Sequence, residues 1–136
     1  MAFTGNFTCN VFKTGLLNGD FDFSSDTIKI ALYTNSATLD ASTTAYTTTG
    51  EVVATGYTAG GNTLTPTVSI SNNVAFVTFA NTTWSGSFTA RGALIYKAGA
   101  NGAICVLDFG SDKTSATTFE VQFPPSTFDS AIIRIA

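Results

Sequence analysis

The chain has 136 residues, of which 44% are hydrophobic, 12% aromatic and only 11% charged, with a net charge of −3, against roughly 25% charged in an average soluble domain. That length excludes two ordinary domains and suffices for one core without metals or disulfides, so residues 1–136 are read as a single domain. Six dispersed basic residues on an acidic chain exclude a surface that tracks a phosphate backbone, so no nucleic-acid partner is expected; the mean hydropathy of +0.25 excludes a disordered chain.

Thr and Ser abound beside 12 Gly and 12 Phe, whereas Glu51, Glu120 and Gln122 are the only Glu or Gln residues. This mixture disfavours long helices and suits strands joined by turns. The expected fold is all-β: an antiparallel β-sandwich or jelly-roll-like domain of about eight or nine short strands over residues 21–136, preceded by one short helix or arm within residues 1–20. The opening MAFTGNFTCNVFKTG has no basic region followed by an apolar run and is not read as a secretory signal. No stretch approaches the roughly 20 apolar residues of a membrane helix, so no membrane partner is expected.

Taken in chain order, Phe7, Val11, Phe12 and Leu16 recur at helical spacing and Asn18-Gly19 follows as a stop, which predicts a helix over 7–17. Thr8, Thr14 and Gly15 are weak helix formers, and an extended arm with aromatic anchors is the other reading. TIKIALYT (27–34) alternates as a strand. Residues 35–51 are polar and Thr-rich, a loop long enough to carry something rather than merely connect. Residues 51–58 can extend, Gly60-Gly61-Asn62 turns, and Thr63–Thr67 extends again with Pro66 favouring an edge.

Residues 68–71 and 74–80 flank Asn72-Asn73, two residues that tolerate left-handed backbone angles, and predict a tight hairpin. After the Trp84 segment (81–87), FTARGALIYK (88–97) reads as a strand with a possible bulge at Gly92, and 98–102 as a turn. A strand over 103–109, a loop over 110–116 and a strand over 118–123 ended by Pro124-Pro125 follow, and Ile132, Ile133 and Ile135 should bring residues 130–136 back to the sheet.

Catalytic chemistry has little footing. There is no histidine, which removes every Ser-His and Cys-His nucleophile and the usual general base at neutral pH. Asp108 and Glu120 are the only acids within the late strands and read better as edge or loop residues than as a glycosidase pair. Asp20-x-Asp22-x-Ser24-x-Asp26 has the odd spacing of half a calcium loop, but Ser25 replaces the usual Gly and Ala31 the closing Glu, so it reads as a solvated turn. No metal, cofactor or nucleotide site is expected, and the chain is read as non-enzymatic. Cys9 and Cys105 could pair, or could serve as small buried hydrophobes of a reducing cytosol.

Six aromatic residues are candidate interface positions. Phe3, Phe7 and Phe12 would anchor an N-terminal element into a partner, or else complete the domain's own core. Tyr46, Trp84 and Phe88, together with Tyr57, would line a carbohydrate platform or an interface, or else cap the ends of the core. The scarcity of charge gives little electrostatic protection against association, which points toward an assembly.

KIALYTNSATLDASTTAYTTTGEV (29–52), GYTAGGNTLT (56–65), FTARGALIYK (88–97) and VLDFGSDKT (106–114) together resemble a family of small proteins encoded by tailed bacteriophages, over most of the chain from Phe12 to Phe123. The resemblance implies a virion structural protein, made in the bacterial host cytoplasm, and supplies no catalytic residues. Within that family a capsid decoration or cement protein is expected, bridging subunits of the major capsid protein on the capsid surface. A tail or baseplate component and a carbohydrate-binding module are the alternatives. The expected partners are the major capsid protein and other copies of the chain, in a homo-oligomer for which a trimer would match local three-fold positions.

Overall fold

The computed structural model describes residues 3–124, 127 and 129–135; residues 1, 2, 125, 126, 128 and 136 lie outside, among them Pro125 and Ala136 of the expected chain ends. Within them the chain forms one helix and ten strands, and every strand pairing is antiparallel. The all-β expectation with one short N-terminal helix therefore holds.

The N-terminal segment departs from the expected helix at its start. Phe7–Thr8 form a short strand, β1, paired with Val106 and Cys105, and the helix α1 spans only Asn10–Leu17. β-branched Thr8 fits a pleated strand better than a first helical turn, and the Cys9 N–H donates to the Ile104 carbonyl at 2.9 Å, which spends the backbone on the sheet before the helix begins. The helix buries Phe12 and Gly15. Gly15 is required there because a Cβ would stand 2.7 Å from the Phe21 ring.

Three further strands, β2 (Ile28–Tyr33), β3 (Asn62–Thr63) and β7 (Thr89–Lys97), join β1 and β8 (Ala103–Thr114) in a five-stranded sheet ordered β1-β8-β7-β2-β3. β2 and β7 pair over their full common length from Ile28 opposite Lys97 to Tyr33 opposite Gly92. The alternation in β2 suggested one buried face, yet Ala31 and Tyr33 on the second face are also fully buried, because the Thr-rich loop folds over them with Ala37 and Leu39 pointing inward. The register does shift between Ala90 and Gly92, beside the expected position, but the extra residues lie on β8 rather than β7: residues 109–112 stand opposite Arg91 alone. β8 runs on to Thr114, into the segment expected as a loop over 110–116: Lys113 and Thr114 pair with Ala90 and Thr89, so backbone pairing carries polar residues that have no apolar alternation.

A second sheet has the order β10-β5-β4, built from β4 (Pro66–Ser71), β5 (Val74–Phe79) and β10 (Ile133–Ile135). The β4–β5 turn is Asn72-Asn73 with φ of 51° and 64°, the two left-handed residues of a type I′ hairpin. Pro66 opens the edge strand, where its missing N–H is harmless. A two-stranded sheet pairs β9 (Thr118–Val121) with β6 (Thr82–Ser85), a strand the sequence did not announce. Hydrogen bonds between elements tie these sheets: Asn62 Nδ2 donates to Thr82 Oγ1 and to the Thr83 carbonyl, both at 2.8 Å, and the buried Ser115 hydroxyl donates to the Gly86 carbonyl at 2.7 Å. One cluster of buried side chains runs from Phe3 to Ile133 through all three sheets.

Candidate interaction surface

The six aromatic candidates divide by burial. Phe3, Phe12, Trp84 and Phe88 are between 2% and 7% exposed and belong to the core cluster. Phe12 meets Phe21 edge-on at 4.9 Å, and Phe88 stacks on Phe119 at 5.2 Å, with Tyr57 and Trp84 completing the group. Rings buried inside the chain cannot serve as surface anchors or as a sugar platform, so the surface role expected of these four is corrected: Phe12 and Trp84 face the core from α1 and β6, Phe88 from the loop before β7, and Phe3 lies against Gly92. Phe7 and Tyr46 are half-buried against the same cluster. Trp84 Nε1 is buried without a hydrogen-bond partner among the described residues.

Tyr46 belongs to a different construction, which sequence reasoning missed. Glu51 is 6% exposed, and its carboxylate accepts hydrogen bonds from the hydroxyls of Tyr46 and Tyr57, each at 2.6 Å, and from the Gly60 N–H at 2.8 Å. Tyr96 donates to the Gly60 carbonyl at 2.7 Å, Tyr33 donates to the Thr47 carbonyl at 2.7 Å, and the Tyr57 oxygen accepts the Leu32 N–H at 2.9 Å. The loop is thereby pinned at its end by one carboxylate. Burial pushes all four tyrosines above the ordinary range, and for Tyr46 and Tyr57 donation to Glu51 adds to it. A cleft of about 430 Å³ opens beside this cluster, walled by the stacked rings of Tyr46 and Tyr96 with Lys29, Gly60 and Gly99 around it. The one signal in the sequence was Glu51 itself, a lone acid closing a polar loop.

Several of the remaining acids are engaged locally. In the Asp20–Asp26 turn, Asp22 Oδ1 accepts from the Ser24 N–H at 2.9 Å and hydroxyl at 2.5 Å, which holds its carboxyl below the ordinary range. The chain's own cation caps this turn: the Lys97 ammonium donates to the Asp20 carbonyl, pairs with Asp26 Oδ2 at 3.3 Å and sits 5.1 Å from the Phe21 ring centre. Asp108 accepts from the Gly110 N–H at 2.8 Å and pairs with Arg91 at 3.1 Å, and both hold its carboxyl low. Exposed Glu120 accepts from Gln122 at 2.8 Å. Cys9 and Cys105 are free thiols, both buried, so the unpaired reading of the two cysteines is the one the structure has.

One part of the surface is uncharged and carries exposed aliphatic side chains. No residue from 52 to 90 is charged, so β3, β4, β5 and β6 carry no charge at all. Val68 and Ile70 on β4 are 59% and 74% exposed, Ile135 on β10 is 53% exposed, and Leu17 at the end of α1 is 89% exposed. Between them runs a groove of about 120 Å³ lined by Phe12, Leu16, Phe23, Val68, Ile133 and Ile135, among others. In a chain with this much Thr, Ser and Asn, a band of large aliphatic side chains beside an open strand edge is the feature that most needs a partner.

No family model matches the chain, and comparison with curated proteins and with solved structures gives no match.

Proposed function

We propose that this chain is a non-enzymatic structural protein of a tailed-bacteriophage particle, a decoration or cement protein that sits on the capsid surface and bridges subunits of the major capsid protein. The observation that carries the reading is the contrast between a tied interior and an unguarded exterior. Glu51, Asp26 and Asp108 are held by donors within the chain, while the uncharged β4 edge and its aliphatic neighbours face outward. Such a surface gives up little hydration on contact and suits repeated apolar and backbone contacts. The likeness of residues 29–52, 56–65, 88–97 and 106–114 to small phage proteins supports the particle setting.

The test is quantitative mass spectrometry of purified particles, taking the molar ratio of this chain to the major capsid protein. A ratio near one, or near a simple fraction of one, is the expected result. A ratio far below that moves the protein to the tail or baseplate, and absence from the particle overturns the reading.

A further inference from the structure

We propose that the open edge of β4 is a self-association site at which two copies of the chain pair their β4 strands antiparallel about a two-fold axis through Ser69, turning two three-stranded sheets into one of six strands. This deepens the proposed function, since it assigns to the self-association a surface, a register and a symmetry.

The register follows from the hairpin. A two-residue type I′ turn closes on a hydrogen-bonded pair, here Ser71 with Val74, and antiparallel pairs then alternate. Ser71, Ser69 and Thr67 therefore spend their N–H and C=O groups on β5, and the Ala80 N–H donating to the Thr65 carbonyl at 3.3 Å continues the same alternation. Val68 and Ile70 turn theirs to the open side. Pro66, which has no N–H to offer, falls on that side too and ends the usable edge. Among the antiparallel registers, the one that places Val68 opposite Ile70 of its twin, with Ser69 on the axis, matches these groups without drawing on Pro66. That arrangement closes four backbone hydrogen bonds.

Side chains agree with the backbone. Val68 and Ile70 share a face with Val77, Ala75, Ile133 and Ile135, as the pairings of β4 and β10 with β5 require. In the paired form each exposed Val68 would stand against an exposed Ile70 on one continuous apolar face, the arrangement in which cross-strand aliphatic pairs contribute most. Edge strands that stay single are guarded by charges, especially Lys, by Pro or by bulges. β4 carries only Pro66, at its first residue, which leaves Val68 and Ile70 unguarded. Its lack of charge also chooses the partner, because an uncharged strand has nothing to select a charged one, whereas its own copy brings no like charge and no ion to desolvate.

The test uses the full chain. Sedimentation should give twice the 14.2 kDa of one chain, falling to a single chain for Ile70→Lys, whose side chain is 74% exposed and whose circular dichroism should stay that of the parent. Under mild oxidation Ser69→Cys should form a covalent dimer, because residues facing each other on the axis fall within disulfide reach. Thr67→Cys should not, since the register separates the two copies of residue 67 by roughly 14 Å. Cys9 and Cys105 are buried and do not compete. A monomeric parent, a trimer, a dimer indifferent to Ile70→Lys, or equal cross-linking of both cysteine variants overturns the proposal. None of these results alters the copy number in particles, so failure here is distinct from failure of the particle assignment.

Discussion

The hydroxyl of Tyr57 donates to Oε2 of Glu51 at 2.6 Å while its oxygen accepts the N–H of Leu32 at 2.9 Å, so one buried ring joins the end of the Thr-rich loop to the centre of β2. Removing that hydroxyl strands a backbone donor and strips a carboxylate of one of its three donors. Tyr57→Phe should therefore lower unfolding stability by about 1–3 kcal/mol. Tyr46→Phe should cost about 1 kcal/mol, because its ring is only half-buried. Urea denaturation of the two variants beside the parent measures both, and equal stabilities for Tyr57→Phe and the parent would contradict the pinning of the loop.

The four tyrosines also set an alkaline limit. Burial raises each of them above the ordinary tyrosine value near 10, Tyr96 to about 12. Since the folded state keeps protons that the unfolded chain has lost, the contribution is complete below pH 10 and falls as pH climbs through the raised values. Phenolate absorbance should stay low past pH 10 and then rise together with the loss of far-ultraviolet dichroism. Titration of two or more tyrosines in a chain still folded would refute it.

Gly61 has φ of +76°, and a Cβ there would lie 1.8 Å from the Ile30 carbonyl oxygen. Gly61→Ala combines left-handed strain with a backbone clash and should cost more than about 2 kcal/mol. Gly19, at φ of +78° with nothing within 4 Å, isolates the strain alone, and Gly19→Ala should cost about 1 kcal/mol. Melting temperatures in the order parent, Gly19→Ala, Gly61→Ala check the pair.

Burial, with the Asp40 charge adding to it, pushes the Cys9 thiol up to about 11, and burial raises Cys105 as well. Neither thiolate is populated at neutral pH in the fold. A disulfide-exchange reagent should find no reactive thiol in the native protein and both in denaturant, and reductant should leave the melting temperature unchanged. Rapid native labelling would place at least one thiol at the surface.

What the sequence by itself determined was local. Alternation at Ile28, Ile30 and Leu32 and at Phe119 and Val121 marks strands, Asn72-Asn73 marks a hairpin because its two residues alone had to take left-handed angles, and the scarcity of charge marks a surface made for contact. Tertiary structure decided whatever depended on a distant partner. Thr8 became strand because β8 was there to pair with it, Lys113 and Thr114 became strand because β7 was, and β6 formed on β9 without a periodic signal of its own. Phe12, Trp84 and Phe88, read as anchors, turned inward, where other rings meet them. Glu51, one acid in a polar run, became the pin of the loop only because Tyr46, Tyr57 and Gly60 converge on it. Periodicity is a property of neighbours in the chain, whereas satisfaction of a buried carboxylate and pairing of a strand edge are properties of neighbours in space.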